Sequence, residues 1–186
     1  MRPVKREEIL DLASYERSRE AIRPPILEAK QRRRVHVGGV LTFLFENTAT
    51  VRYQIQEMIR AEGMKREPDI AHEIETYNEL VGAKGELGCS LLIEITDAAE
   101  RDVKLRAWVD MPKHLYVRTE DGDKVRARFD ERQIGDDRLS SVQYLRFDVK
   151  GRQPIAVGCD LPALIVETTL DGEQREALRQ DLASDA

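Results

Sequence analysis

Hydrophobic and polar residues alternate with helical spacing between residues 47 and 62, and this segment is the most informative part of the chain. Half of its positions carry aromatic, amide or charged groups, a mixture unlike the lysine and glutamate typical of a solvated face. The pattern predicts an α-helix with one anchored face and a polar face built to contact something specific. The anchored face recurs at the spacing of a buried helical stripe, at Val51, Ile55, Met58 and Ile59.

Further secondary structure follows from local patterns along the rest of the chain. Residues 87–95 alternate as in a half-buried strand, and Asp121 and Gly122 mark the turn of a hairpin between 114–118 and 124–129. Additional strands are predicted at 142–149, 155–158 and 163–167, and helices at 68–80, 97–108 and 172–182.

Two interruptions are predicted near the N-terminus. Pro24 and Pro25 should end or sharply kink a helix that begins at Ser14, because proline lacks a backbone donor and restricts the residue before it. Residues 35–45 are hydrophobic on both faces and predict an interior strand, with a bulge or bend at Gly38 and Gly39.

The order of these elements predicts an α+β fold with N-terminal helices, a largely antiparallel sheet and a C-terminal helix. A chain of 186 residues can hold one well-developed core, so we expect a single domain over residues 1–186. No hydrophobic run reaches the roughly 20 residues that span a membrane, and the N-terminus has no signal-peptide core. We therefore expect a cytoplasmic protein without membrane contact, with Cys89 and Cys159 as reduced, buried thiols.

Motifs along nearly the whole chain resemble the bacterial DUF3501 family, whose name records an unassigned function. They are LTFLFEN (41–47), TVRYQIQEM (50–58), RAE (60–62), Tyr77-Asn78, LLIEI (91–95), Asp97 with Glu100 and Arg101, YLRFDV (144–149) and LRQDLA (178–183). Proteins of this family look like genomic companions of rubrerythrin-type di-iron proteins and of cysteine-rich iron–sulfur proteins of the heterodisulfide-reductase type. The resemblance implies a redox accessory with an iron–sulfur or rubrerythrin-like protein partner.

The family pattern places histidines where this chain has Gln143, within SSVQYLRF, and Leu161, within CDLPAL. The histidines present are His36, His72 and His114, and no ExxH spacing occurs. The carboxylate and histidine set of a di-iron bundle is therefore incomplete, and we assign no metal ligand and no cofactor.

Carboxylates and arginines near the polar helix supply the candidate binding residues, and none is assigned a catalytic role. Arginine forms bidentate pairs with carboxylates, so Glu57 and Glu73 are expected to pair with nearby arginines. Either a structural or partner-binding network or a pocket for an anion would use these residues, and the network is favoured because buried ion networks are commoner than active sites. The candidates are Glu46, Arg52, Tyr53, Gln56, Glu57, Arg60, Glu62, Glu73 and Tyr77.

Nucleic acid is a competing partner, since the basic segment 30–34 and the row Lys124, Arg126 and Arg128 can neutralise phosphates. A net charge of -5 disfavours it. The leading hypothesis is a non-enzymatic accessory protein that binds a redox partner through the helices at 47–62 and 68–80. The alternative is a small enzyme or carrier with a carboxylate and arginine pocket there, holding iron or an anionic substrate.

Overall fold

A computed structural model of the chain describes residues 1–131, 134–135 and 137–184. Helices dominate the first half of this part and strands the second, which confirms the predicted α+β class. The helices are α1 (Leu12–Gln31), α2 (Thr48–Glu62), α3 (Glu67–Asn78), α4 (Ala98–Ala107), α5 (Met111–His114) and α6 (Gly172–Ala183). The strands are β1 (Arg34–Val37), β2 (Leu41–Glu46), β3 (Glu86–Ile93), β4 (Leu115–Thr119), β5 (Lys124–Arg126), β6 (Val142–Asp148), β7 (Pro154–Leu161) and β8 (Leu164–Thr169).

The strands form two antiparallel four-stranded sheets rather than one. The first sheet has the order β1-β2-β3-β6 and the second the order β5-β4-β7-β8. The sheets adjoin at both edges, because Arg128 and Arg146 form a backbone bridge beside β5 and β6, and β1 lies beside β8. At the β1 edge a side chain on Gly38 would come within 2.6 Å of Val166, so only glycine permits this close approach.

The main core lies between the two sheets. It consists of the inward-facing residues of both, and the rings of Phe45 and Phe147 meet in its centre with 6.3 Å between their centroids. Residues of α4 and α6, including Leu105 and Leu178, also belong to this core. Each large side chain buried here contributes roughly 1.5–3 kcal/mol, so this core carries most of the stability of the β-part of the fold.

A second hydrophobic cluster joins the N-terminal segment to α2 and α3, on the outer side of the first sheet. The predicted face of α2 supplies Val51, Ile55 and Ile59, all fully or almost fully buried, while Met58 is only partly buried. Ile70 and Ile74 of α3 pack against them. The alternating pattern of β3 predicted burial on one face only. Because this helical layer covers the sheet, β3 is instead buried along nearly its whole length.

The helix expected to begin at Ser14 begins at Leu12, and its expected end at Pro24 and Pro25 is wrong, because α1 runs through both prolines. Both prolines lie on the exposed side, where water can satisfy the two carbonyl groups that lose their helical donors. Tyr15 before and Ile26 after the prolines are both buried, so each half of the helix is anchored against the rest of the fold. In the described ranges, no helix has the length and hydrophobicity needed to cross a membrane.

Residues 35–45 form a hairpin instead of the predicted interior strand. Gly38 and Gly39 adopt positive φ angles of 60° and 75°, which turn the chain back so that β1 pairs with β2. The helix predicted at 97–108 ends at Ala107, and Pro112 lies within the short helix α5 rather than closing α4. The remaining elements lie close to their predicted positions.

Candidate functional site

Helix α2 is positioned by caps at both ends. Asn47 accepts a hydrogen bond from the Thr50 backbone N–H at 3.0 Å, and the Thr50 hydroxyl accepts one from the Asn47 backbone N–H at 2.9 Å. Gly63 ends the helix in the left-handed conformation, with φ of 60°. These local signals explain why the sequence pattern located this helix so closely.

A buried ion pair joins the end of α1 to the C-terminal helix α6, and its carboxylate also binds the start of α2. Arg33 makes two hydrogen bonds of 2.7 and 2.9 Å to the carboxylate of Asp181, which also accepts one from the Asn47 side chain at 3.2 Å. Removing one partner of such a pair costs about 3–5 kcal/mol, because the other charge is left buried. The pair therefore fixes the end of α1, and with it the neighbouring Arg34, against α6, and the Asn47 hydrogen bond joins the start of α2 to the same carboxylate.

The α1-facing side of α2 carries a closed network around Glu57. The Tyr15 hydroxyl donates to Glu57 at 2.6 Å, and the Arg19 guanidinium donates two hydrogen bonds at 2.7 and 2.8 Å. Arg19 holds the pKa of Glu57 down at about 2, while burial and the neighbouring carboxylate raise the pKa of Tyr15. Glu57 is therefore ionised and joins α1 to α2.

Gln56 makes the second internal connection on this side. Its amide oxygen accepts a hydrogen bond from the Leu10 backbone N–H at 2.9 Å, and its amide nitrogen donates to the Leu10 carbonyl at 3.0 Å. Asn78 of α3 makes the same reciprocal pair with Val4, at 2.7 and 2.9 Å. The two side chains clamp the N-terminal segment onto the helical layer.

Two predicted arginines form ion pairs at the rim of this network. Arg60 donates to Glu16 of α1 at 2.7 Å, and Arg52 lies 3.7 Å from Glu8. Both pairs are substantially exposed and contribute little to stability. The expected pairing of Glu57 with an arginine is confirmed, but through Arg19, which the sequence did not single out.

A cavity of about 230 Å³ lies between α1, α2 and the N-terminal segment, and we call it the α1 cavity. Isoleucines of α1 form its apolar wall. Three of the candidate residues, Arg52, Tyr53 and Gln56, line it, together with Tyr15, Ile22 and Ile26.

A second cavity, of about 350 Å³, lies between α2, α3 and the outer face of the first sheet, and we call it the sheet cavity. Its floor is one continuous row of side chains across all four strands. In the strand register Arg34 pairs with Leu44, Leu44 with Ser90, and Ser90 with Tyr144. Adjacent strands lie about 4.8 Å apart, so the backbones at the two ends of the row, at Arg34 and Tyr144, are roughly 14 Å apart.

The roof of the sheet cavity is formed by α2 and the end of α3, through Gln54, Tyr77 and Leu80. Burial and the nearby Tyr144 and Glu73 raise the pKa of Tyr77 to about 12, so its hydroxyl stays protonated. The roof lies very close to the floor at Gly88, where an added Cβ atom would come within 1.7 Å of the Leu80 carbonyl oxygen. Only glycine in β3 permits this approach.

Glu46 is the most unusual residue of the sheet cavity. It is 4% exposed, and its carboxylate accepts hydrogen bonds from the hydroxyls of Thr50 at 2.6 Å and Ser90 at 3.1 Å. No cationic side chain contacts it within the part of the chain that the structure describes. A buried carboxylate without a cation costs several kcal/mol of desolvation that the two hydroxyls only partly offset.

The remaining two candidates lie apart from both cavities. Glu62 is exposed at the end of α2, and Glu73 of α3 is partly buried. Burial and the nearby Glu62 raise the pKa of Glu73. The expected pairing of Glu73 with an arginine is wrong among the described residues, because Arg146 donates instead to the Glu79 carbonyl and Arg101 to the Ile95 carbonyl.

The structure thus divides the predicted site. Glu46 and Tyr77 line the sheet cavity, Arg52, Tyr53 and Gln56 line the α1 cavity, and Glu57 and Arg60 bind α1. Five polar residues of the sheet cavity were not among the candidates, because they converge only through strand register and helix packing. They are Lys30, Arg34, Gln54, Ser90 and Tyr144.

Other chemistry considered from the sequence has little geometric support. Within the described ranges no three histidine, cysteine or carboxylate side chains converge as a metal site would require. Both cysteines are free and buried, and burial raises the pKa of each thiol. Each basic residue of the row considered for nucleic acid has a carboxylate partner, with Lys124 and Arg126 bound to Asp160 and Arg128 to Glu86.

Comparison with known proteins agrees with this fold. A solved crystal structure from Burkholderia pseudomallei K96243, described as a novel protein of unknown function, is similar to this chain, with 29% identity and a TM-score of 0.88. The match covers 97% of this chain and 100% of that one. A search of curated proteins finds no match. The model of the family described as "Protein of unknown function (DUF3501)" matches residues 3–182, and the chain therefore belongs to the DUF3501 family.

Proposed function

We propose that the protein binds a small organic molecule in the sheet cavity. One observation carries this proposal, namely the buried carboxylate of Glu46, which opens on a cavity of about 350 Å³ and lacks a cationic partner among the described residues. Ligand sites are typically concave, mostly apolar and supplied with a few convergent polar groups. The sheet cavity has this composition, with Leu44 and Leu80 beside Ser90 and Gln54.

The arrangement favours a ligand over a purely structural role for Glu46. A carboxylate that served only the fold would be expected to pair as Glu57 does, with both oxygens bound by an arginine. Glu46 instead retains acceptor capacity, since a carboxylate has about four acceptor sites and two hydroxyls occupy only part of them. The free capacity and the cavity volume are available to the same molecule.

The experiment is a screen of small fragment molecules by backbone amide NMR, with one variant that fills each cavity. Ser90→Phe places a ring in the sheet cavity, and Ala49→Phe places the same ring in the α1 cavity. We expect fragments to shift the amide signals of residues 54, 77, 90 and 144 in the wild type. Binding should disappear in Ser90→Phe and persist in Ala49→Phe.

Fragments whose signals map to the α1 cavity, or that still bind Ser90→Phe, would contradict the proposal. The comparison is matched, because each variant adds an aromatic ring at a cavity-lining position. Both variants are first checked for the wild-type pattern of amide signals in the core, so that loss of binding is not loss of fold.

Docking of a redox protein is the second candidate function. It rests on the family resemblance and on the exposed end of α2, where Glu62 lies. Burial and the nearby Glu62 raise the pKa of Glu73, which is partly buried on α3. Most other polar groups of α2 are bound within the chain, as Gln56 and Glu57 show. A docking surface on α2 and α3 would therefore be acidic and centred on these two glutamates.

Titration of the purified protein with a rubrerythrin-type protein and with a cysteine-rich iron–sulfur protein tests this second function. Docking predicts saturable binding that weakens with salt and is lost when Glu62 and Glu73 are both changed to lysine. The Ser90→Phe variant should bind such a partner normally. Binding that is unchanged by the double charge reversal would exclude this surface.

A further inference from the structure

Charges of both signs line the sheet cavity without contacting each other. Lys30 of α1 and Arg34 of β1 line one side of it, and Glu46 lies on the neighbouring strand β2. In the described part of the chain none of the three forms an ion pair, although Lys30 approaches the Gln54 amide oxygen at 3.5 Å and the Tyr53 ring. Most arginines elsewhere on the surface pair with carboxylates, whereas Arg34 lies near Glu46 in the same cavity lining without pairing with it.

The strand register places these charges at a defined spacing. Arg34 is directly opposite Leu44, and Glu46 is two residues further along the same strand and on the same face. Positions related in this diagonal way are roughly 7–8 Å apart. A small molecule can therefore contact the carboxylate and the guanidinium together while occupying the space between them.

We infer that the ligand is a zwitterion of the amino-acid type. Its ammonium group would bind Glu46 and its acid group Arg34 and Lys30, while an apolar or aromatic side chain would lie beside Tyr77 and Tyr144. This inference rests on the proposed function, because it names the class of molecule that the sheet cavity binds.

The chemistry of the lining supports each contact. Glu46 already accepts hydrogen bonds from Thr50 and Ser90, and an ammonium donor would supply the missing positive charge. Arginine and lysine are the usual partners of a carboxylate, and the guanidinium can bind it in a bidentate manner. At the other end of the floor, Tyr144 and the neighbouring Val142 are among the large hydrophobic residues that remain exposed, which suits a partly apolar side chain.

The test uses three molecules that share a phenyl group and differ in charge. L-Phenylalanine carries both charges, 3-phenylpropanoate only the negative one, and phenethylamine only the positive one. Isothermal titration calorimetry on the purified full chain should give a dissociation constant for L-phenylalanine about tenfold or more below that of either analogue, because each analogue lacks one of the two charge-assisted contacts.

Two variants assign each charge to its partner. Glu46→Gln should bind L-phenylalanine and 3-phenylpropanoate equally, and the double substitution Lys30→Gln/Arg34→Gln should bind L-phenylalanine and phenethylamine equally. Glu75→Gln removes one negative charge from an exposed position outside the cavity and should leave all three constants unchanged. The comparison of ligands on the wild-type protein needs no variant, so it decides the inference even if Glu46→Gln does not fold.

Failure of the inference is distinguishable from failure of the proposed function. If either analogue binds the wild type as tightly as L-phenylalanine, or if none of the three binds at millimolar concentration, the zwitterion is wrong. The proposed function would still stand if other fragments shifted the amide signals of the sheet cavity in the wild type and no longer bound to the Ser90→Phe variant. If no fragment did so, both would be wrong.

Discussion

The contact of α2 with α1 and its contact with the first sheet each bring together a glutamate, a glutamine and a tyrosine. On the α1 side Glu57, Gln56 and Tyr15 are bound to other groups of the chain, with Glu57 held by Arg19. On the sheet side the equivalent groups are Glu46, Gln54 and Tyr77, which line a cavity. The same three residue types thus join α1 to α2 on one side and line a cavity on the other.

This difference explains why composition alone did not separate the two sides. A polar helix face holds its neighbours when partners lie within hydrogen-bonding distance, and it forms a site when they do not. The deciding partners, Arg19 and Tyr15, come from α1, which the prolines were expected to interrupt. The paired substitutions below change the same residue type on both sides and compare the results.

The largest difference is expected between the two glutamates. Glu57→Gln should lower the free energy of unfolding by about 2 kcal/mol, because it breaks an ion pair whose carboxylate side chain is 22% exposed and so falls short of the cost for a fully buried pair. Glu46→Gln should change the free energy of unfolding by no more than about 0.5 kcal/mol. The substitution weakens the hydrogen bonds from the two hydroxyls, but it also removes a buried carboxylate that has no cationic partner, and the two effects offset each other.

Urea unfolding of both variants and the wild type measures this difference. Equal destabilisation by the two substitutions would show that Glu46 serves the fold as Glu57 does. It would also remove the observation on which ligand binding rests.

The pH dependence of stability should sharpen the contrast. The pKa of Glu57 is about 2 in the folded protein and about 4.3 in an unfolded chain, so the group stabilises the fold fully above the unfolded value. The stabilisation should be lost as the pH falls from about 4.3 towards 2, where the carboxyl is protonated in both states. The gap in unfolding free energy between wild type and Glu57→Gln should therefore close over this range.

Other carboxylates with lowered pKa values, such as Glu8 and Asp121, are common to both proteins and cancel in the difference. Unfolding measured at closely spaced pH values gives the gap directly. A gap that stayed constant down to pH 2 would show that Glu57 stabilises the fold through packing and not through its charge.

The sequence was sufficient for features that depend on neighbouring residues. Helix α2 was located because its hydrophobic spacing and its caps at Asn47 and Gly63 are local. The hairpin at Asp121 and Gly122 was found for the same reason. The turn at Gly38 and Gly39 was misassigned, because two glycines are compatible with a bulge as well as with a reversal, and only pairing of β1 with β2 decides.

The site was less predictable because it depends on distant pairing. Arg34, Ser90 and Tyr144 lie on three strands far apart in sequence, and only the strand register places them in one row. Tyr15 and Arg19 are four residues apart on α1 and share a face, a local signal that would have identified them as partners of α2. Glu46 was recognised as a candidate, but its lack of a cation among the described residues is visible only in the fold.

A smaller effect is expected from the two glutamines. Gln56→Ala should lower the free energy of unfolding by about 1–2 kcal/mol, because it leaves the Leu10 backbone N–H and carbonyl without their partners. Gln54→Ala, two residues away on the sheet side, should lower it by less than about 0.5 kcal/mol, because that side chain is only partly buried.

Hydrogen exchange provides a second measurement for this pair. Gln56→Ala should speed exchange of the Leu10 amide and of the segment before α1, since the clamp on that segment is lost. Gln54→Ala should leave those rates unchanged. Faster exchange in both variants would mean that the N-terminal segment depends on α2 as a whole.

The smallest effect is expected from removing single hydroxyl groups. Tyr15→Phe should lower the free energy of unfolding by about 1 kcal/mol, because the hydroxyl of this 1% exposed residue donates to Glu57, which keeps both hydrogen bonds from Arg19. Tyr77→Phe should leave stability nearly unchanged but weaken ligand binding in the sheet cavity. Urea unfolding combined with calorimetry of the ligand separates the two effects. If Tyr77→Phe instead cost as much stability as Tyr15→Phe, its hydroxyl would belong to the fold, and the sheet side of α2 would be as closed as the α1 side.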